Sequence, residues 1–300
     1  MGRNYFGDDL VWPDAVTRGI WPALALVGLL ACSESPAPES PPASLSRIVA
    51  LAPNLTELVY AAGAGDTLVG VSAYSDYPPA ALELPVIGDA FTVDHEQLAL
   101  LKPDALLAWE SGIPAHVVEE MRDVGYRVEV IRSRSLNDIV IALRRIGKLT
   151  GHEVEANEAA AAFTAGLQAL QQRFASELTI SVFYQVARRP LYTINGEHYV
   201  SELIGLCGGE NIFADLNTLA PAIAVESVVE RDPEVMLASS DAGNDAFAEW
   251  NRWPSLAAVR LGNQYLMPAD EIVRATPRLL SAGESVCKAL QMARNKRGGR

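Results

Sequence analysis

The sequence predicts an α/β fold of two similar lobes with mostly parallel sheets, joined by a long backbone helix and leaving a ligand cleft between them. Three observations predict it. The first is an internal echo: Asp94 to Trp109, DHEQLALLKPDALLAW, returns in weaker form as Ala224 to Ser239, AVESVVERDPEVMLAS. Each copy reads as a short helix, a charged residue before proline, an acidic residue and an apolar run through Leu-Ala. Glu96 stands seven residues before Pro103, as Glu226 does before Pro233. The second is another echo in the same order: Thr-Glu-Leu-Val at Thr56 to Val59 with Gly63 behind it, and Ser-Glu-Leu-Ile at Ser201 to Ile204 with Gly208 behind it. Two matches in register imply two similarly built lobes. The third is the alternation of strand and helix signals on both sides of a strand-free stretch from about Ser135 to Ser176.

Taken in order, Arg47 to Leu51 is a β-branched run closed by Ala-Pro-Asn, and Asn54 or Thr56 is placed to cap the helix that follows. Leu68 to Val71 is a second short strand before the turn-rich Ser72 to Pro79. Asp94, with Gln97 three positions on, opens a helix that Pro103 stops ahead of the strand Ala105 to Ala108. A helix near Pro114 to Val124 ends at Gly125, and Arg127 to Ile131 is a strand. Val154 to Phe174 is alanine-rich, free of proline and apolar at helical spacing, which predicts a long helix with a break at Gly151. Such a connector makes a stiff hinge. Ser181 to Val186 restarts the strand pattern, and the second lobe runs to about Met292. The expected division is a leader over 1–31, a flexible linker over 32–45, an N-terminal lobe over 46–150, the connecting helix over 151–177 and a C-terminal lobe over 178–294.

The leader rests on Ile20 to Leu30, an apolar stretch of signal-peptide length after Arg18. Asp8, Asp9 and Asp14 are unlike a positively charged n-region, so translation is expected to begin downstream of Met1. The run Leu29-Leu30-Ala31-Cys32 resembles the lipobox of bacterial lipoproteins, and the Pro/Ser/Glu-rich Ser33 to Pro42 suits a tether. Cys32 is thus a candidate lipid anchor, the alternative being an ordinary secretory leader with an incidental cysteine. With Cys32 used, Cys207 and Cys287 remain, an even number in an exported chain, and are expected to form a disulfide; two buried free thiols are the alternative.

Charge narrows the partners. The formal net charge is -13 and basic residues cluster only in the tail Lys288 to Arg300, which excludes nucleic acid and anionic membrane surfaces. Four histidines, His95, His116, His152 and His198, lack the spacing of a metal site, and no Gly-x-Ser-x-Gly elbow or Gly-rich phosphate loop occurs. The reading is therefore a binding protein and no enzyme, with no metal and no catalytic residue.

The segments RIVALAPNLTEL, VGVSAYSDYPP, LALLKPDALLAW, LCGGENIF and RATPRLL, with the long helix between two lobes, resemble the cobalamin-binding members of the periplasmic substrate-binding proteins with a helical backbone. The resemblance covers about Ser46 to Leu290. Other members of that group serve haem, iron-siderophores and metal ions, the alternative ligands here. It implies a monomer that captures cobalamin or a related corrinoid and delivers it to an ABC importer permease dimer. A corrin ring is broad, mostly apolar and edged with amides, so it calls for flat aromatic surface and a few hydrogen-bonding groups. Tyr74 and Trp109 match the group's stacking aromatics, and Tyr192 stands where a phenylalanine is usual. Asp270 and Arg274 match an acid and an arginine at the cleft edge, and the Pro53-Asn54 turn is placed to offer backbone groups. Two tryptophans of the group are replaced by Ala90 and Ala220; Phe91 is the substitute for the first. Glu96 and Glu226 match glutamates that dock onto permease arginines, whereas read alone they are helix N-terminal acids stabilised by the macrodipole.

Overall fold

The structure, a computed structural model, describes residues 44–174 and 178–298. The leader, most of the linker and Cys32 lie outside the described residues. The first lobe runs β1 (Ile48–Ala50), α1 (Pro53–Ala61), β2 (Leu68–Val71), α2 (His95–Leu101), β3 (Ala105–Trp109), α3 (Ala115–Asp123) and β4 (Val128–Ile131). Then come α4 (Leu136–Thr150) and α5 (Glu153–Phe174). The second lobe contains β5 (Ile180–Gln185), β6 (Ala187–Arg188), β7 (Leu191–Tyr192), α6 (Tyr199–Leu206), β8 (Gly209–Asn211), α7 (Val225–Arg231), β9 (Val235–Ser239), α8 (Ala257–Arg260), β10 (Gln264–Met267) and α9 (Ala269–Ile272). A final helix, α10 (Leu279–Gly298), returns along α5 and α6.

Each lobe has a four-stranded sheet in which every pair is parallel. The first has the order β2-β1-β3-β4 and the second β10-β9-β5-β8. Counting strands from each lobe's own first, both read 2-1-3-4, so the sequence echo is an echo of topology. The central strands carry it: β3 and β9 are apolar and buried along almost their whole length, as strands covered on both faces must be. The echoed helices α2 and α7 also end alike. Lys102 and Asp232, the charged residues before each proline, both adopt left-handed backbone with φ of 45° and 40°. Only that turn brings the chain from helix to proline to strand in so few residues, so two residues with a Cβ accept a conformation that most avoid.

The α1 cap differs from expectation. Ala52 occupies the cap position with no side-chain bond, since alanine has no acceptor to offer, and Pro53 takes the first helical position, where its missing N–H costs nothing. Asn54 and Thr56 lie inside the helix. Asp94 caps α2 through Gln97 N at 2.9 Å, as its spacing implied. His152 sits between α4 and α5, outside either helix. The predicted break falls at Gly151, whose φ of 81° ends α4 and reverses the chain so that α5 packs back on α4. One apolar cluster runs from the first sheet through α4, α5 and α10 into the second, which makes the backbone a shared core. A smaller cluster around Phe183, Phe213 and Trp250 fills the far face of the second sheet.

Cys207, at the end of α6, is bonded to Cys287 on α10, with Cα atoms 4.8 Å apart and a sequence separation of 80. A loop of that length stabilises the fold by about 4–5 kcal/mol in the chain-entropy description. The double variant Cys207→Ser/Cys287→Ser should lose a stability of that order in denaturant titrations without reductant. Non-reducing peptide mapping of the parent should recover both cysteines in one linked fragment.

Candidate ligand-binding cleft

In a 2-1-3-4 parallel sheet the connections leave β1 in one direction and β3 in the other, and the crevice opened between their carboxyl ends is where such folds bind ligands. Here a cavity of 360 Å³ lies at that place, and both lobes wall it. Pro53 and Asn54 follow β1, Tyr74 follows β2 and Trp109 ends β3. From the other lobe come Asp241 after β9 and Ala269, Asp270, Val273 and Arg274 after β10. A larger groove of 510 Å³ between α5 and α10 is lined by helix residues alone.

The aromatic walls are held from below. Tyr74 has φ of 66° and is 82% exposed, so an unfavourable backbone presents its ring to the cleft. Ser75 beside it accepts a hydrogen bond from Thr56 Oγ1 at 3.0 Å, tying the turn to α1. Trp109 is half-buried, and Gly112 leaves room for its ring: a Cβ there would come within 2.0 Å of Cε3.

Across the cleft runs a buried ionic clasp. Arg274 donates from Nη1 to Glu57 Oε1 (2.8 Å) and Asp76 Oδ1 (2.6 Å), and from Nη2 to the Tyr74 carbonyl (3.1 Å). Glu57 also accepts from Thr276 Oγ1 at 2.9 Å and from Arg278 Nη1 at 3.1 Å. Arg278 in turn lies over the Tyr77 ring, 4.2 Å from its centroid. The hydrogen bond from Arg274 holds the Asp76 carboxyl below the usual range. Burial alone would lower Arg274, but its bonds to Asp76 and Glu57 outweigh that and raise it. The second lobe answers with Glu202, the echo of Glu57, whose Oε2 accepts from Leu136 N at the start of α4 (2.8 Å). Burial pushes this carboxyl up.

The remaining polar groups of the cleft are unspent. Among the described residues, buried side-chain N or O atoms without a partner belong to Asn54, Trp109, Ser133, Ser239 and Glu271. All five stand at or just past the carboxyl end of a parallel strand. A buried group left unbonded costs about 1–3 kcal/mol, and two of the five, Asn54 and Trp109, line the cavity.

The cavity thus brings together Pro53, Asn54, Tyr74, Trp109, Asp270 and Arg274. Tyr192 lies on the β6-β7 hairpin, bridged to Ala222, and Phe91 is 72% exposed on a turn fixed by Asp89; neither lines this cavity. Arg274 is committed to Glu57 and Asp76, with Asp270 a weaker partner at 3.7 Å. Sequence reasoning missed Asp241, although it stands two residues past the second echo, where a strand end was expected. Glu96 and Glu226 are both exposed in the first turns of α2 and α7. Among the described residues no group of three His, Cys, Asp or Glu side chains is placed to hold a metal ion. His198 caps α6, its Nδ1 accepting from Val200 N at 3.2 Å, and burial pushes its pKa down to about 4, so the ring is neutral at physiological pH.

A family model described as periplasmic binding protein matches residues 48–271. The chain belongs to that family. Among its relatives, the vitamin B12-binding protein of Vibrio cholerae is 35% identical over 277 residues, covering 91% of this chain and all of the relative. A solved structure, the periplasmic vitamin B12 binding protein BtuF of Vibrio cholerae, superposes with a TM-score of 0.75 at 36% identity, over 83% of this chain and 98% of the other. The periplasmic heme-binding protein RhuT from Roseiflexus, at 23% identity and a TM-score of 0.71, shares the fold over 84% of this chain and 99% of its own.

The clasp makes a quantitative statement about the cleft. Arg274→Ala leaves the buried Glu57 carboxylate short of a partner and should cost about 3 kcal/mol in chemical denaturation. Arg274→Lys should recover only part of this, since an ammonium cannot bond Glu57, Asp76 and the Tyr74 carbonyl together. Asp76 is depressed in the fold, so its contribution is complete above about pH 4 and is lost as the pH falls below that. Asp76→Asn should flatten the stability profile in that acid window.

Proposed function

We propose that this chain captures cobalamin or a related corrinoid in its cleft and delivers it to an ABC importer, acting as a binding protein without catalytic chemistry. The observation that carries the reading is the cavity at the paired strand ends. Tyr74 and Trp109 offer flat aromatic surface there, with the unbonded Asn54 amide and Trp109 Nε1 on the same wall. A broad apolar ring with an amide edge is the complement of that wall. Relatives named for vitamin B12 over nearly the whole chain support it. Haem is the second reading that one feature favours: the exposed Tyr74 hydroxyl is the one conventional iron ligand facing the cavity. Absorbance titration with cyanocobalamin, haem and a ferric siderophore separates them, since Tyr74→Phe should abolish haem binding and leave corrinoid binding within about threefold.

Glu96 and Glu226 are assigned to the permease. They are exposed, occupy equivalent first turns, and form a pseudo-twofold pair suited to a two-fold transporter. The protein is read as an envelope monomer tethered through Cys32, on the strength of Leu-Leu-Ala-Cys and the linker behind it. Replacing both glutamates with alanine should keep corrinoid affinity within about twofold and sharply reduce uptake, because rim charges act on partner association. Trp109→Ala should do the reverse, weakening the ligand by roughly 1–3 kcal/mol. Loss of ligand affinity in the double glutamate variant, with docking intact, would contradict the assignment. Cys32→Ser should move the protein from the membrane fraction to the soluble one, and unchanged palmitate labelling would refute the anchor.

A further inference from the structure

We infer that the Asn54 side chain, with Asp241 and Asp270 on the wall supplied by the other lobe, makes the cleft selective for a neutral ligand edged with carboxamides over one edged with carboxylates. This rests on the corrinoid reading of the cavity. Asn54 lines the cavity wall from the first turn of α1 and is 3% exposed. Neither its Oδ1 nor its Nδ2 has a hydrogen-bond partner, and water does not reach them. The amide thus holds one acceptor and two donors in reserve. Its terminal torsion is broad and two-fold, so a rotation away from the conformation seen here is what brings either atom to a ligand. A primary carboxamide is the chemical group that meets such a side chain at two points, donor to acceptor and acceptor to donor. A carboxylate offers acceptors only, and leaves Oδ1 unbonded.

The charges of the wall act in the same direction. Asp241 is exposed, and Asp270 lies with its carboxyl 3.7 Å from Arg274. Arg274, the one cation on the cavity wall, already serves Glu57 and Asp76 behind it. A carboxylated ligand therefore meets two acids and no free cation, while an amide N–H finds acceptors. Rejection of the wrong ligand by placed like charge is a general device of specificity. It separates an amide-edged corrinoid from tetrapyrroles and chelates that carry acids, which the shared fold by itself does not do.

The test is a calorimetric titration of the full-length protein with cobinamide and with cobyrinic acid, in which the peripheral amides are carboxylic acids. Wild type should prefer cobinamide by at least about 100-fold. Asn54→Leu should lose about tenfold in cobinamide affinity while the free protein keeps or gains thermal stability, since the change deletes unbonded polar atoms. Asn54→Ala is the companion variant should leucine not be accommodated. Asp241→Asn with Asp270→Asn should narrow the preference by about tenfold, chiefly through tighter cobyrinic acid binding. Cobinamide affinity unchanged in both Asn54 variants, or lost together with the stability of the free protein, overturns the inference and leaves the corrinoid reading intact. Wild type that binds neither compound overturns both.

Discussion

The lobes keep their relation because each sends a glutamate across to the other. Glu57, on α1 of the first lobe, is bonded by Arg274, Arg278 and Thr276 of the second. Glu202, at the same place on α6, holds the first N–H of α4. The Glu57 carboxylate is almost wholly buried, a position tolerable only with its oxygens bonded, so the two lobes cannot part there without stranding a charge. Because Arg274 also holds the Tyr74 carbonyl, the same clasp fixes the backbone that lifts the aromatic ring into the cleft. The fold and the shape of the site thus depend on one cluster of charges.

This arrangement explains how the cleft is at once polar and unspent. Ion pairing is used up behind the wall, whereas the wall itself presents aromatic rings and hydrogen-bonding groups without partners. A site built so gains little from binding an anion and much from binding a flat neutral body with an amide rim. The shared apolar core through α4, α5 and α10 joins the two walls on which a ligand would rest.

Much of the fold was legible because it is local. The strands at Ile48, Leu68 and Val128 follow from short runs with β-branched residues and that at Ala105 from an apolar run after Pro103, and the turn at Gly151 follows from one glycine between two helical patterns. The echoes revealed the paired topology because both lobes solve the same helix-to-strand turn with a left-handed residue before proline. What was hidden was non-local. Arg274 and Glu57 are 217 residues apart, and nothing near either names its partner. Asp241 has no distinctive neighbourhood, and the unbonded state of Asn54 shows only when its place inside α1 is known. Tyr192 and Phe91 looked equivalent to the other aromatics by position, but a hairpin and an exposed turn carry them off the cavity wall.

A crystal structure of the protein with cyanocobalamin, its cobalt located by anomalous scattering, tests the central claim most directly. The cobalt should lie in the cavity between Tyr74 and Trp109, with Arg274 still bonded to Glu57 and Asp76. Cobalt in the groove between α5 and α10, or Arg274 withdrawn from Glu57 to contact the ligand, would contradict it.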